Sequence, residues 1–125
     1  VKKYDARVQF IGETIEEEVV LLIDGYELTC FASVLPYFIE IGCQYPVTIS
    51  PFLIDDDYEI EEASASAPAF EKCGDGFQYW ITGQLNGVVL ECGLEFEDQL
   101  LLWDYGDLNG KRIRLKADRL DVEFH

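Results

Sequence analysis

The chain has 125 residues, 49% of them hydrophobic and 27% charged, which is the size and mixture of one globular domain rather than two. Its 25 Asp and Glu stand against 9 Lys and Arg, a formal net charge of -16. A field of that sign repels phosphate backbones and anionic headgroups, so nucleic acid and membranes are not expected as partners and a basic protein is.

The first residues carry no apolar leader, and no run approaches the ~20 residues of a membrane helix, so a soluble, cytoplasmic chain is expected. Tyr4, Ala6, Val8 and Phe10 alternate with polar residues and predict an N-terminal strand. Asp24-Gly25 predicts a tight hairpin that pairs Ile23 with Tyr26, Leu21 with Leu28, Val19 with Cys30 and, further out, Ile15 with Val34. The opposite face of that hairpin carries Val20, Leu22 and Phe31 among polar residues, so another element should cover part of it. Residues 35–42 hold at most a short turn of helix. Residues 45–54 contain Pro46 and Pro51, which cannot donate to a ladder, and read as an edge-like strand that can resume over 58–60. The Ala/Ser-rich stretch 63–69 predicts a connector within a flexible loop at about 62–76.

Asn86-Gly87, set between alternating hydrophobic residues, predicts a two-residue type I′ turn. In that register Leu85 faces Val88, Gly83 faces Leu90, Ile81 faces Cys92, Tyr79 faces Leu94 and Phe77 faces Phe96. Trp80 then shares the wet face with Glu91 and Glu95 and lies over Gly93 or under a neighbouring loop. Leu100-Leu101-Leu102-Trp103 reads as a strand joined through Asn109-Gly110 to residues 112–117, with Trp103 in the core. Beyond Ala117 the apolar phase moves to Leu120, Val122 and Phe124, which predicts a bulge or corner near 117–119. These elements make an all-β single domain over residues 1–125, an antiparallel Greek-key barrel or a sandwich of about seven or eight strands.

The Asn86-Gly87 hairpin, Gly83 and Gly93, and the segment 108–115 with the phase shift that follows it resemble OB-fold-like small Greek-key barrels. The likeness covers about the C-terminal half. It implies a barrel fold and carries over no functional residue, and the helix usual between the third and fourth OB strands has no counterpart in the pattern. The nucleic-acid-binding members present aromatics in a basic groove, from which this acidic chain departs.

Acidic side chains concentrate in residues 55–62, where Asp55, Asp56, Asp57, Glu59, Glu61 and Glu62 fill six of eight positions. Three readings fit them: a solvated strand edge protected by charge, a calcium site, or a docking surface for a cationic partner. The calcium loop fails as a motif, because its sixth and twelfth positions, counted from Asp55, hold Ile60 and Ser66. A second acidic group includes Glu91 and Glu95, and Trp80 among carboxylates could anchor a Lys or Arg by charge and cation-π contact together. The basic residues Lys111, Arg112, Arg114, Lys116 and Arg119 gather at the end and are expected to pair with acidic neighbouring strands. Cys30, Cys43, Cys73 and Cys92 have neither zinc-site spacing nor a dense secreted framework and read as reduced thiols, with a disulfide or a metal site as the alternatives.

Catalytic parts are scarce. The one histidine is His125, so Ser-His or Cys-His nucleophile activation has no base inside the domain, and neither Walker nor dinucleotide glycine patterns occur. No catalytic residue, metal or cofactor is assigned. The expected function is a non-enzymatic acidic protein-binding module, concretely a bacterial immunity or inhibitor protein for a basic toxin. The alternatives are a structural subunit of a larger assembly and a small-ligand or carbohydrate-binding module that stacks its ligand on aromatics.

Overall fold

The computed structural model describes residues 2–55 and 58–125. Asp24 and Gly25 have φ of 50° and 87°, the two left-handed positions a type I′ turn requires. They close a hairpin between β2 (Glu18–Ile23) and β3 (Tyr26–Phe31), with Ile23 opposite Tyr26, Leu21 opposite Leu28 and Val19 opposite Cys30, as the turn chemistry predicts. The outer pair Ile15 and Val34 does not form. The ladder stops at Glu18 opposite Phe31, and both residues stand exposed beyond it. β1 (Tyr4–Ile11) pairs antiparallel with β2, and its register slips between Val8 and Phe10. The extra residue, Gln9, turns the phase of the strand, so Tyr4, Ala6 and Val8 are buried while Phe10 faces out.

β4 (Gln44–Phe52) is not the edge strand its prolines predict, because it pairs with β1 on one side and with β11 (Arg119–Phe124) on the other. The ladder tolerates each proline for a different reason. The Pro46 carbonyl accepts from the His125 N–H, and the His125 carbonyl, deprived of a Pro46 donor, accepts from the Tyr37 hydroxyl at 2.9 Å. Pro51, opposite Leu120, lies past the last β1 pair, Tyr4 with Val47. The strands close in the order β1-β2-β3-β11-β4, all antiparallel except β3 with β11. That parallel seam is thin, with Asp121 opposite Phe31 as its register pair.

The chain between β4 and β11 builds a second sheet from β5 (Glu59–Glu62), β6 (Phe70–Lys72), β7 (Tyr79–Asn86), β8 (Val89–Glu91), β9 (Glu95–Glu97) and β10 (Arg112–Ala117). Its order is β5-β10-β7-β8-β9, with β6 also on β7. The phase change after Ala117 is the crossing from this sheet to the barrel. Asp118 makes the corner, its N–H donating to the Phe52 carbonyl and its carboxylate accepting from the Ile54 N–H.

Two expectations in this half are corrected. Gly87 alone has positive φ, 65°, at the β7–β8 turn, so the loop residues are Gly87 and Val88 and Leu85 faces Leu90 instead of Val88. A first central glycine with an ordinary second residue suits a type II′ turn, and the Gly87 N–H donates to the Asn109 side chain. The shift of two keeps the same side chains inward, but the strand then reverses at residues 92–94 and β9 returns along β8. Tyr79 and Phe77 therefore do not face Leu94 and Phe96. The second correction is α1 (Gln99–Tyr105), which replaces the expected strand at Leu100-Leu101-Leu102-Trp103. Asp98 caps it, its carboxylate accepting from the Leu100 N–H at 3.0 Å.

The described residues thus form eleven strands rather than seven or eight, three of them only three residues long. The 62–76 segment contains β6, and Arg112 holds its Ala/Ser part through the carbonyls of Ser64 and Ala67. One apolar core runs through both layers, from Val8, Val19 and Leu21 to Ile81, Leu90, Phe96 and Ile113. Two tyrosines stitch the layers: the Thr29 N–H donates to the Tyr79 hydroxyl and the Glu95 N–H to the Tyr4 hydroxyl. The residues that resembled OB-type barrels, including Gly83, Asn86-Gly87, Gly93 and residues 108–115, lie outside the five-stranded barrel, which is built from the N-terminal half and β11.

Candidate docking surfaces

The acidic run and Trp80 meet on the outer face of the second sheet. β10 lies between β5 and β7, so Lys116 has Glu59 on one side and Trp80 on the other, and Arg114 has Glu61 and Thr82. Three of the five cations expected to pair with acids of neighbouring elements do so, Lys111 with Glu62 at 2.9 Å, Arg114 with Glu61 and Lys116 with Glu59 at 3.8 Å, whereas Arg119 pairs with Asp121 of its own strand at 2.7 Å and Arg112 donates to the Ser64 and Ala67 carbonyls instead. Glu62 also raises the Lys111 ammonium above its ordinary value. Trp80 is half-buried, with the Arg114 guanidinium 4.0 Å from its ring centre and Lys116 at 5.9 Å. The tryptophan expected to offer its ring to a partner's cation holds one of the chain's own. It does not lie over Gly93, which at φ 97° packs instead on the Tyr26 hydroxyl.

Glu91 and Glu95 face each other across β8 and β9, both exposed, with Glu91 also opposite Gln84. They share a sheet face with Trp80, but Gln84 lies four residues along β7, about 13 Å at ~3.3 Å per residue. The three residues therefore do not make one compact cluster. Asp55 is exposed beside a small hollow that also contains Glu59, Lys116 and Asp118. Asp56 and Asp57 lie outside the described residues.

Sequence reasoning placed the other tryptophan wrongly. Trp103 is 72% exposed, because α1 turns only Leu101 fully inward and leaves Leu102 and Trp103 on its outer side. With Pro51, Phe52, Leu53, Asp98 and Leu100 it lines a cleft of about 430 Å³. Ile54, the residue after Leu53, is 74% exposed, and Asp55 and Asp104 are the exposed chain neighbours of Ile54 and Trp103. The helix is anchored beneath. The Tyr58 hydroxyl donates to the Asp98 carboxylate at 2.6 Å, and the Tyr105 hydroxyl donates to the Tyr58 carbonyl. Burial foremost, and the Asp98 carboxylate second, push the Tyr58 phenol well above its ordinary value. The available signal was Asp98 itself, a helix-capping residue directly before an apolar run.

A second exposed apolar group lies on the loop after β3, where Phe38 is 84%, Val34 69% and Ile41 60% exposed. Where that loop passes the outer face of β4 and β11 it encloses a cleft of about 410 Å³.

All four cysteines are free thiols, with Cys30 and Cys92 buried and Cys43 exposed. Among the described residues no group of three or more His, Cys, Asp or Glu could hold a metal ion, and no helix is long and apolar enough to cross a membrane.

A family model described as "Uncharacterised conserved protein UCP019853" matches residues 2–125. No curated protein and no solved structure matches the chain.

Proposed function

The chain belongs to that family, and from this premise we propose that it is a non-enzymatic acidic module that binds a basic protein. The observation that carries the reading is the exposure of Trp103 in a cleft with Phe52, Leu53 and Leu100, with Asp98 in the same lining and the exposed Asp104 next in the chain. A large exposed aromatic with acids close by is an arrangement that anchors a cationic surface: the ring offers area and cation-π attraction, and the acids supply sign selection. A concrete version is an immunity or inhibitor protein that covers the cationic groove of a toxin, in the cytoplasm of a bacterium.

Capture from an extract of the native host tests the reading. A basic protein should be retained at low salt and released as salt rises, since exposed charges more than ~10 Å apart are screened at 0.1 M. Recovery of no basic protein at either salt contradicts it.

Phe38, Val34 and Ile41 favour a second reading, a subunit of a larger assembly whose apolar loop is covered by a neighbour. Light scattering of the purified chain separates the two: a monomer supports the docking module, and a stable oligomer supports the subunit.

A further inference from the structure

A second cleft lies on the same stretch of β4. On the outer face Thr48, Ser50 and Phe52 follow one another opposite Glu123, Asp121 and Arg119 of β11. The loop after β3 bends over the Thr48 end, so that Val34 and Pro36 stand as a wall above a floor of Thr48, Ser50, Asp121 and Glu123. The wall is fixed in place. The Tyr37 hydroxyl donates to the His125 carbonyl, and the Tyr37 ring packs on Tyr45 and Phe124 with centroids 5.6 and 6.4 Å apart.

The floor is organised too. Arg119 lies between two aromatic rings, 4.0 Å from the centre of Phe31 and 4.2 Å from that of Phe52, and its Nε donates to one oxygen of Asp121 at 2.7 Å. Asp121 is thereby held in one orientation with part of its charge spent. Glu123 stands exposed two residues along, about 6.6 Å at ~3.3 Å per residue.

We propose that this cleft receives one arginine side chain of the basic partner, an inference that rests on the protein-binding reading. A guanidinium presents five donors in a planar fork, enough to meet the Glu123 carboxylate and the Ser50 hydroxyl together, beside the Thr48 hydroxyl that lies 3.0 Å from His125 Nε2, while its apolar stem lies along Val34 and Pro36. A lysine ammonium is more strongly hydrated and offers three donors at one point, a poorer match to acceptors spread across a floor. The position agrees with the docking face around Trp103. Thr48 and Phe52 are four residues apart, about 13 Å, and an ordinary interface of roughly 800 Å² per partner is about 30 Å across, so one footprint spans both clefts.

The test is an NMR titration of the isotope-labelled full chain with N-acetyl-arginine amide, with the lysine and citrulline counterparts as probes of charge and shape. The expected result is saturable shifts confined to residues 33–36, 48–50 and 121–124, weaker with lysine and absent with citrulline. Glu123→Gln, on an exposed side chain, should weaken the arginine response by at least about fivefold and leave the rest of the spectrum in place. Equal responses to arginine and lysine spread over the acidic surface, unchanged in Glu123→Gln, would overturn the assignment. If such spreading accompanies capture of a basic partner that depends on Trp103, the arginine site fails and the protein-binding reading stands. If the localised response appears but no basic protein is captured from the host, the reading of function fails, and with it the partner as source of the arginine.

Discussion

The guanidinium of Arg114 lies 4.0 Å from the centre of the Trp80 ring and its Nε donates to Glu61, so one cation on β10 joins the aromatic of β7 to the acid of β5. Trp80 therefore makes a structural contact within the sheet. Trp80→Leu should lower stability by about 1 kcal/mol, the size of a partly exposed cation-π contact, and leave partner binding within twofold. Urea denaturation and a binding titration on the same variant check both halves.

Tyr79 presents its hydroxyl to the Thr29 N–H at 2.9 Å, on β3, whose pairing with β11 is thin. Tyr79→Phe leaves that buried amide without its acceptor and should cost about 1–3 kcal/mol, read as a lower urea midpoint with an unchanged slope. Amide exchange at Thr29 should accelerate in the same variant. A midpoint equal to that of the natural chain would show that the seam does not need this bond.

Gly83 is fixed by close approach rather than by backbone angle. A Cβ there would come within hard contact of the Glu91 carbonyl oxygen, a backbone atom that cannot move unless β8 shifts. Gly83→Ala should destabilise by about 2 kcal/mol or more, whereas Gly76→Ala, with open space around it, should stay within ~0.5 kcal/mol. The contrast between the two variants is the measurement.

Stability should fall on the alkaline side. Burial pushes the Cys92 thiol from 9.0 up to about 12, and burial likewise raises the phenols of Tyr58 and Tyr79 above 10.0. Each of these groups is kept neutral by the fold. The stability it contributes is complete below its unfolded value and is lost as pH climbs from that value toward the folded one. The urea midpoint should therefore be level from pH 7 to 8, decline from near pH 9 as the thiols begin to ionise in the unfolded chain, and steepen past pH 10. Each group adds up to ~1.4 kcal/mol per pH unit, so Cys92→Ala should flatten the slope between pH 9 and 10. A midpoint level through pH 11 would contradict the burial of these groups.

The sequence disclosed what short-range chemistry decides. Asp24-Gly25 dictated a hairpin register because both residues accept positive φ, and the shift in apolar phase after Ala117 marked the passage from one sheet to the other. Asn86-Gly87 misled by two positions, because a lone positive φ at Gly87 suits a different turn and Asn109 supplies a partner from elsewhere in the chain. Pro46 and Pro51 argued for an edge strand, a rule about missing donors that fails where a side chain replaces the donor, as Tyr37 does at His125, or where no neighbouring strand needs it, as at Pro51. Leu100-Leu101-Leu102-Trp103 has no period that separates a strand from a helix, and only the cap at Asp98 distinguishes them. The different exposures of Trp80 and Trp103 follow from these. Which tryptophan is exposed depends on the neighbours of β7 and on the helical phase of α1, and neither is a local property of the chain.

The central claim is that a basic partner is held at Trp103 and not at Trp80. Capture from native-host extract by the natural chain, Trp80→Leu and Trp103→Ala, at low and moderate salt, tests it most directly. Trp103→Ala, an exposed truncation expected to change stability by no more than ~0.5 kcal/mol, should lose the basic protein that the other two retain at low salt. Equal retention by all three, or no basic protein with any of them, would contradict the account.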